Sequence, residues 1–266
     1  MTNVYVYGAS HQTEHFPMSV FEPQIRGNRA TLANVEDPPV VKNQGNHPTC
    51  SAVAVIGLYE SWLRRSGGDA PELSWAWTYL NALKMLDSHG SVPVKEQLLS
   101  GIPLHLCISA LLEFGTISAD TFGEGNDPVA LRRETESRAM TPAGRLWVPM
   151  RSFMVLPTRD ALLDAVWSQH PVAFTFGIDR TIDSWMHSED QQRLTNYVCP
   201  RFSETSIRLA THAAIITGID LERDTARIQN SFGISFGEDG YFYMDLPSLL
   251  EHASTGLSFY VLTRAG

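Results

Sequence analysis

Three side chains able to carry out acyl transfer stand out in this chain: Cys50, His212 and Asn230, with Gln44 just ahead of the cysteine. A thiolate is a strong nucleophile. An imidazole titrates near neutrality, so it can take a proton and return it. An asparagine amide oxygen can accept from one ring N–H and leave the other nitrogen facing sulfur. A side-chain NH2 such as that of Gln44, or a backbone N–H, is the type of group that can donate to an oxyanion.

The elements around these residues suit that chemistry. Gly45, Asn46 and Pro48 form a turn, and Thr49 is the expected N-cap of a helix running from Thr49–Cys50 to about Arg65. Apolar residues then recur at Val53, Ile56, Tyr59, Trp62 and Leu63. Cys50 therefore falls in the first turn, where unpaired N–H groups and the helix dipole lower a thiol's pKa. His212 heads an apolar strand, Thr211–Gly218, and Asn230 closes another, Ala226–Asn230.

The run Val41-Lys42-Asn43-Gln44-Gly45 leading to Cys50, the segment Thr211-His212-Ala213-Ala214, and the block Asn230-Ser231-Phe232-Gly233 with Gly237-Glu238-Asp239-Gly240-Tyr241 together resemble the papain-like cysteine peptidases. The likeness covers about residues 30–266 and is nearer the bacterial and archaeal branch. It implies an α+β, two-lobe fold: a helical N-terminal lobe, an antiparallel β-barrel-like C-terminal lobe, and an active site in the cleft between them. It implies Cys50 as nucleophile, His212 as base, Asn230 as the residue fixing the imidazole and Gln44 as oxyanion donor. Ser100, Gly101 and Thr211 are the substrate-binding residues implied. Phe232 stands where the family has a tryptophan shielding the His–Asn bond. Ser51 replaces the usual aromatic after the nucleophile, and His47 stands where many relatives have a disulfide cysteine.

The domain organisation expected is an extension over 1–28 and a catalytic domain over 29–266, its helical lobe about 29–140 and its β lobe about 141–266. Further helices are expected from Trp75 to about Leu86 behind Ser74, from Gly101-Ile102-Pro103 to about Phe114, and from Thr158 or Asp160 to Ser168. Strands are expected at Val4–Tyr7, Trp147–Leu156, Pro171–Gly177, Gly240–Met244 and Phe259–Thr263. Residues Arg29–Val41 read as an extended lead-in, Ala119–Thr141 as the passage between lobes, and Ile182–Arg201 as a long surface loop. Phe174, Phe176, Trp75, Trp77, Tyr79 and Leu80 read as core. Asp179 and Asp183 read as solvated, and the histidines other than His212 as surface or capping residues.

Composition bounds the rest. The 266 residues, 43% hydrophobic and 18% charged, make a globular chain with a sizeable core. A formal charge of −9 and a pI near 5.4 argue against a nucleic-acid partner. The three cysteines, with Cys107 in an apolar run and Cys199 expected unpaired, do not make a disulfide scaffold. The N-terminus lacks a secretory pattern, and no apolar run is long enough for a membrane span. The expectation is a cytoplasmic protein, or one exported by a signal-less route. No Cys/His spacing suggests zinc, and no cofactor is implied.

The expected function is hydrolysis of peptide bonds in a peptide or protein substrate through a thioester on Cys50, as an endopeptidase. Two alternatives remain at this level: an acyltransferase, ligase or cyclase using the same triad, and an inert binding module that keeps the cleft.

Overall fold

The computed structural model describes residues 19–23, 30–67, 71–88, 101–121, 146, 148–202, 207–254 and 259–264. The strand expected at Val4–Tyr7, Ser100 and most of the passage between lobes lie outside them.

The first half is helical. Helix α1 (Cys50–Arg65), α2 (Trp75–Ser88) and α3 (Leu104–Phe114) pack on one another. Their starts and stops follow local chemistry. Ser74 Oγ accepts the Trp77 N–H at 3.1 Å, a side-chain cap at the head of α2. Gly115 ends α3 by donating its N–H to the Leu111 carbonyl at 2.9 Å. Before α1, strand β1 (Leu32–Asn34) crosses to the second half and pairs with Asp220, Ile219 and Gly218. The lead-in is thus part strand, which its mixed pattern did not reveal.

The second half is an antiparallel sheet. It comprises β2 (Met150–Val155), β3 (Val172–Ile178), β4 (Ala210–Asp220), β5 (Thr225–Gln229), β6 (Tyr241–Asp245) and β7 (Phe259–Arg264), in the order β2-β7-β3-β4-β5-β6 with β1 on β4. The sheet is not closed into a barrel. Helix α4 (Arg159–Trp167) precedes β3 and is capped by Thr158, whose hydroxyl accepts the Ala161 N–H at 3.2 Å.

Both faces of this sheet are buried, and strand alternation divides the residues between two cores. Ala213 and Ile215 of β4 and Tyr260 and Leu262 of β7 join the helical core of α1–α3. Ala214, Ile216, Phe259 and Val261 turn the other way, into a second core with Phe174, Phe176 and Trp185. Strand β3 is buried at every position, which is why it reads as an unbroken apolar run. Each fully buried Val, Ile, Leu or Phe among them contributes about 1.5–3 kcal/mol.

Three expectations need correction. Residues 182–201 are not a surface loop. They carry α5 (Arg180–Met186) and α6 (Glu189–Leu194), capped by the Asp179 carboxylate on the Ile182 N–H at 2.9 Å and by Ser188 Oγ on the Gln191 N–H at 3.3 Å. Trp185, 1% exposed, anchors the segment against Phe236 and Phe242. Helices this short hold too few turns for a hydrophobic period to emerge. Asp179 is accordingly buried rather than solvated, while Asp183 is part-exposed. His105 is buried within α3 rather than on the surface. Helix α7 (Leu246–Ser254) was not expected at all.

Candidate active site

The turn before α1 is shaped by Gly45, whose φ of 59° lies where glycine is favoured. Its N–H donates to Asn43 Oδ1 at 2.9 Å. Thr49 occupies the N-cap position of α1 but makes no side-chain cap bond. The helix start instead rests on backbone: Thr49 donates to the His47 carbonyl at 2.8 Å and accepts from Val53 at 3.0 Å. No acidic residue occupies the first turn, so its positive end faces Cys50 without an internal counter-charge.

This turn is pinned to the segment following Asn230. Asn43 bridges to Phe232, Gln44 N–H donates to the Ser231 carbonyl at 2.8 Å, and Gly233 N–H donates to the Lys42 carbonyl at 3.0 Å. The Gln44 amide is held at both ends: Ser231 Oγ donates to its Oε1, and its Nε2 donates to the His47 carbonyl at 2.7 Å. An NH2 group carries two hydrogens, so a single Nε2 can serve more than one acceptor. Behind the turn, Lys42 forms a buried ion pair with Glu60 of α1 at 2.9 Å. Glu60 also accepts the Leu73 N–H at 2.8 Å. Burial raises the Glu60 carboxyl, against the pull of Lys42.

His212 and Asn230 come together at the ends of adjacent strands, with His212 Nε2 2.7 Å from Asn230 Oδ1. An amide oxygen only accepts, so the ring proton sits on Nε2 and Nδ1 carries the lone pair. Asn230 Oδ1 also accepts the Ser231 N–H at 2.8 Å, and the Asn230 N–H donates to the Gly240 carbonyl at 2.9 Å. The imidazole lies between two aromatics: Phe232, tilted at 4.9 Å, and Phe176, edge-on at 5.6 Å.

Cys50 belongs to the helical core, yet its sulfur reaches β4. The Ala213 N–H, next to His212, donates to Cys50 Sγ at 3.4 Å. Two distant halves of the chain therefore meet at one sulfur. Cys50 and His212 are fully buried, Gln44 and Asn230 are 1% and 3% exposed. That burial holds the His212 pKa down at about 4, opposed by the Asn230 hydrogen bond. An imidazolium standing beside a thiolate in this closed arrangement would have to overcome it.

Gly101, half-buried, precedes Ile102, whose carbonyl accepts the Ser51 hydroxyl at 2.8 Å. Thr211 lies on β4 opposite Gly177 and is 6% exposed. Ser100 is outside the described residues. Reading the sequence missed Ser231, Phe176 and the Ser51–Ile102 link. Ser231 could have been found from its place directly after Asn230, but nothing in a linear pattern pairs it with Gln44. Cys107 and Cys199 are buried and, like Cys50, not in a disulfide. Burial raises both thiols. Among the described residues no group of three His, Cys, Asp or Glu could hold a metal ion.

No family model matches the chain, and no curated protein matches its sequence. Solved structures do. Xylellain, a cysteine protease from Xylella fastidiosa, superposes with a TM-score of 0.74 at 19% identity over 97% of this chain and 96% of its own. This is the papain-like cysteine protease fold. Digestive procathepsin L 3 of Tenebrio molitor larval midgut gives 0.65 at 17% identity, covering 97% of this chain and 76% of its own. The proCathepsin B S9 from Trypanosoma congolense gives 0.65 at 12% identity, covering 96% and 85%. The α+β, papain-like architecture expected from Cys50, His212 and Asn230 is therefore the observed one, with an open sheet in place of a barrel.

Proposed function

We propose that the chain is a cysteine peptidase, an endopeptidase that cleaves peptide or protein substrates through a thioester on Cys50. The observation that carries this reading is the junction of Cys50 Sγ with the Ala213 N–H at 3.4 Å, beside an imidazole whose Nε2 is bound to Asn230 Oδ1 at 2.7 Å. The papain-like fold supports it.

In this mechanism Cys50 Sγ attacks a substrate carbonyl carbon while its proton passes to His212 Nδ1, the nitrogen left with the lone pair. Asn230 keeps the ring in that tautomer. The carbonyl oxygen takes up negative charge and accepts from the Cys50 N–H and Gln44 Nε2. His212 then protonates the leaving amine as the C–N bond breaks, and the thioester remains. Water, deprotonated by His212, attacks the thioester and releases the acid, returning the proton to sulfur.

Gly101 is the candidate backbone edge for the substrate, tied to the nucleophile's helix through Ile102 and Ser51, and Thr211 on β4 is a further candidate contact. The division into an extension over 1–28, a helical lobe to about 140 and a β lobe from about 141 belongs to the same reading. Among the described residues no helix is long and apolar enough to cross a membrane.

The test is labelling by a thiol-directed epoxide together with cleavage of a peptide library. Labelled Cys50 and hydrolysed products, both lost in Cys50→Ala, are the expected result. Labelling without any turnover, with or without an added amine acceptor, would reduce the chain to a binding module. Products joined to the added amine would make it a transferase.

A further inference from the structure

A concavity lies where β1, β4, β5 and β6 meet the chain after the helix Glu189–Leu194, and Cys50 is not among its lining residues. Its volume is about 580 Å3, within the range that ordinary small ligands occupy. Asn34, Tyr197, Gly218, Thr225, Arg227 and Tyr243 are among its lining residues, so β1, β4, β5, β6 and the chain after α6 all contribute. We infer that this concavity binds a short peptide through its carboxylate, seated on Arg227.

Charge gives the first argument. Two carboxylates line the site, and both are engaged. Asp220 Oδ1 accepts the Glu222 and Arg223 N–H groups, each at 3.0 Å, and its Oδ2 pairs with Arg223 at 3.7 Å. Glu238 Oε2 accepts the Tyr243 hydroxyl at 2.8 Å. The Arg227 guanidinium instead lies 3.7 Å over the Tyr241 ring, near enough to the Tyr243 hydroxyl to favour its ionised form. Among the described residues it has no carboxylate partner. A planar fork backed by an aromatic face is rigid, and it matches a carboxylate with two parallel N–H···O bonds. Arg223, the other cation of the lining, pairs with Asp220; one cation without a carboxylate partner among the described residues, in a chain of formal charge −9, suits a monoanion better than a phosphate dianion.

Backbone shape gives the second. The register of β4 against β5 shifts between Ile216 and Gly218, and Gly218 forms part of the floor. A Cβ there would come within 2.3 Å of Asn34 Oδ1 and 3.2 Å of the Arg227 Cβ. On the opposite wall, Asn196 and Tyr197 both have positive φ, 50° and 60°. A tyrosine in that region is strained, and such strain collects at ligand sites. The β6 main chain holds the pair in place, with Tyr243 N–H donating to the Tyr197 carbonyl at 2.9 Å and Cys199 N–H donating to the Tyr243 carbonyl at 2.8 Å. Leu32, Tyr197 and Val198 add apolar surface at the wall, which suits peptide side chains above a seated carboxylate.

This inference is independent of the chemistry at Cys50. The test uses the full chain carrying Cys50→Ala, so that no peptide is consumed, and titrates it calorimetrically with N-acetyl-trialanine acid, the same peptide as its C-terminal amide, and inorganic phosphate. The acid should bind, the amide at least tenfold more weakly, and phosphate should not displace the acid. Arg227→Gln should cost tenfold or more in affinity, and Arg227→Lys, which keeps charge and loses the fork, nearly as much. Asn34→Trp, on an exposed edge strand, should fill the concavity and abolish binding while thermal melting confirms the fold. Equal binding of acid and amide, binding that survives Arg227→Gln or Asn34→Trp, binding of phosphate in preference to the acid, or no binding at all would each overturn it.

Discussion

The two ends of β4 use polar groups in opposite ways. At one end His212 is wholly buried, its ring fixed by Asn230 and two phenylalanines, with the Cys50 sulfur against the next residue's N–H. At the other, Gly218 opens into a concavity where Arg227 is only partly buried and, among the described residues, its charge is answered by an aromatic face rather than a carboxylate. Sealing suits a site that must hold a neutral base and exclude water, because low dielectric strengthens each remaining interaction. Partial exposure suits recognition, because a solvated cation pays little to wait for its anion. On the two proposals made above, one strand would serve chemistry where its neighbours close over it and binding where they fall away.

The sharpest way to break this contrast is at the sealed end. Cys50→Ala and His212→Ala should each lower kcat by at least about 10⁴-fold, and the double variant should be little worse than either, since members of a triad act as a unit. Steady-state kinetics on one peptide substrate checks both statements. If the double variant loses the product of the two effects, sulfur and imidazole are not acting together.

Gln44→Ala should lower kcat by about 10²–10³-fold with a smaller change in KM, as expected for a donor felt mainly in the transition state. Ser231→Ala should fall in the same direction by less, because the His47 carbonyl still holds Nε2. A change confined to KM would place Gln44 in ground-state binding instead.

Acid should distinguish the two ends without mutation. The folded His212 pKa of about 4 lies below its ordinary value of 6.5. The unfolded chain therefore takes up a proton first as pH falls. The stability tied to a neutral His212 is complete above pH 6.5 and is lost as pH drops toward 4, by about 3 kcal/mol at about 1.4 kcal/mol per unit. His170 is held at about 4 as well, by burial and by Arg65, and adds a similar loss. Denaturant melts from pH 7 to 4 should show this decline, and His170→Phe should flatten part of it. A flat profile would mean that the imidazoles are solvated.

The smallest effect belongs to the open end. Arg227→Gln removes a cation over Tyr241 and should cost about 1 kcal/mol of stability. A loss several times larger would show Arg227 to be a structural keystone rather than a waiting ligand group.

Much of the sealed end was legible in advance. Cys50 follows a Gly-Asn-His-Pro turn and begins an amphipathic pattern, His212 heads an apolar strand, and Asn230 closes another. Helices α1–α3 and strands β3–β6 are long or periodic enough to leave a trace. Where the trace failed, the elements were short or the pattern was shared with another structure. Helices α5 and α6 depend on the caps Asp179 and Ser188 and on one buried tryptophan. Strand β1 is three residues in a polar lead-in, and α7 starts within the run that ends β6.

Local sequence alone determined that a thiol would sit at a helix start, that one apolar strand would open on a histidine and that another would close on an asparagine. Turn residues, caps and side-chain periods act over a few positions, so they can be read from a few positions. Tertiary structure decided the rest: that Ser231 would hold Gln44, that Phe176 would press on the imidazole, that the sheet would stay open, and that Arg227 would lie over Tyr241. Those outcomes depend on which distant surfaces exclude water from one another, and that is set only when both cores close on the two faces of one sheet.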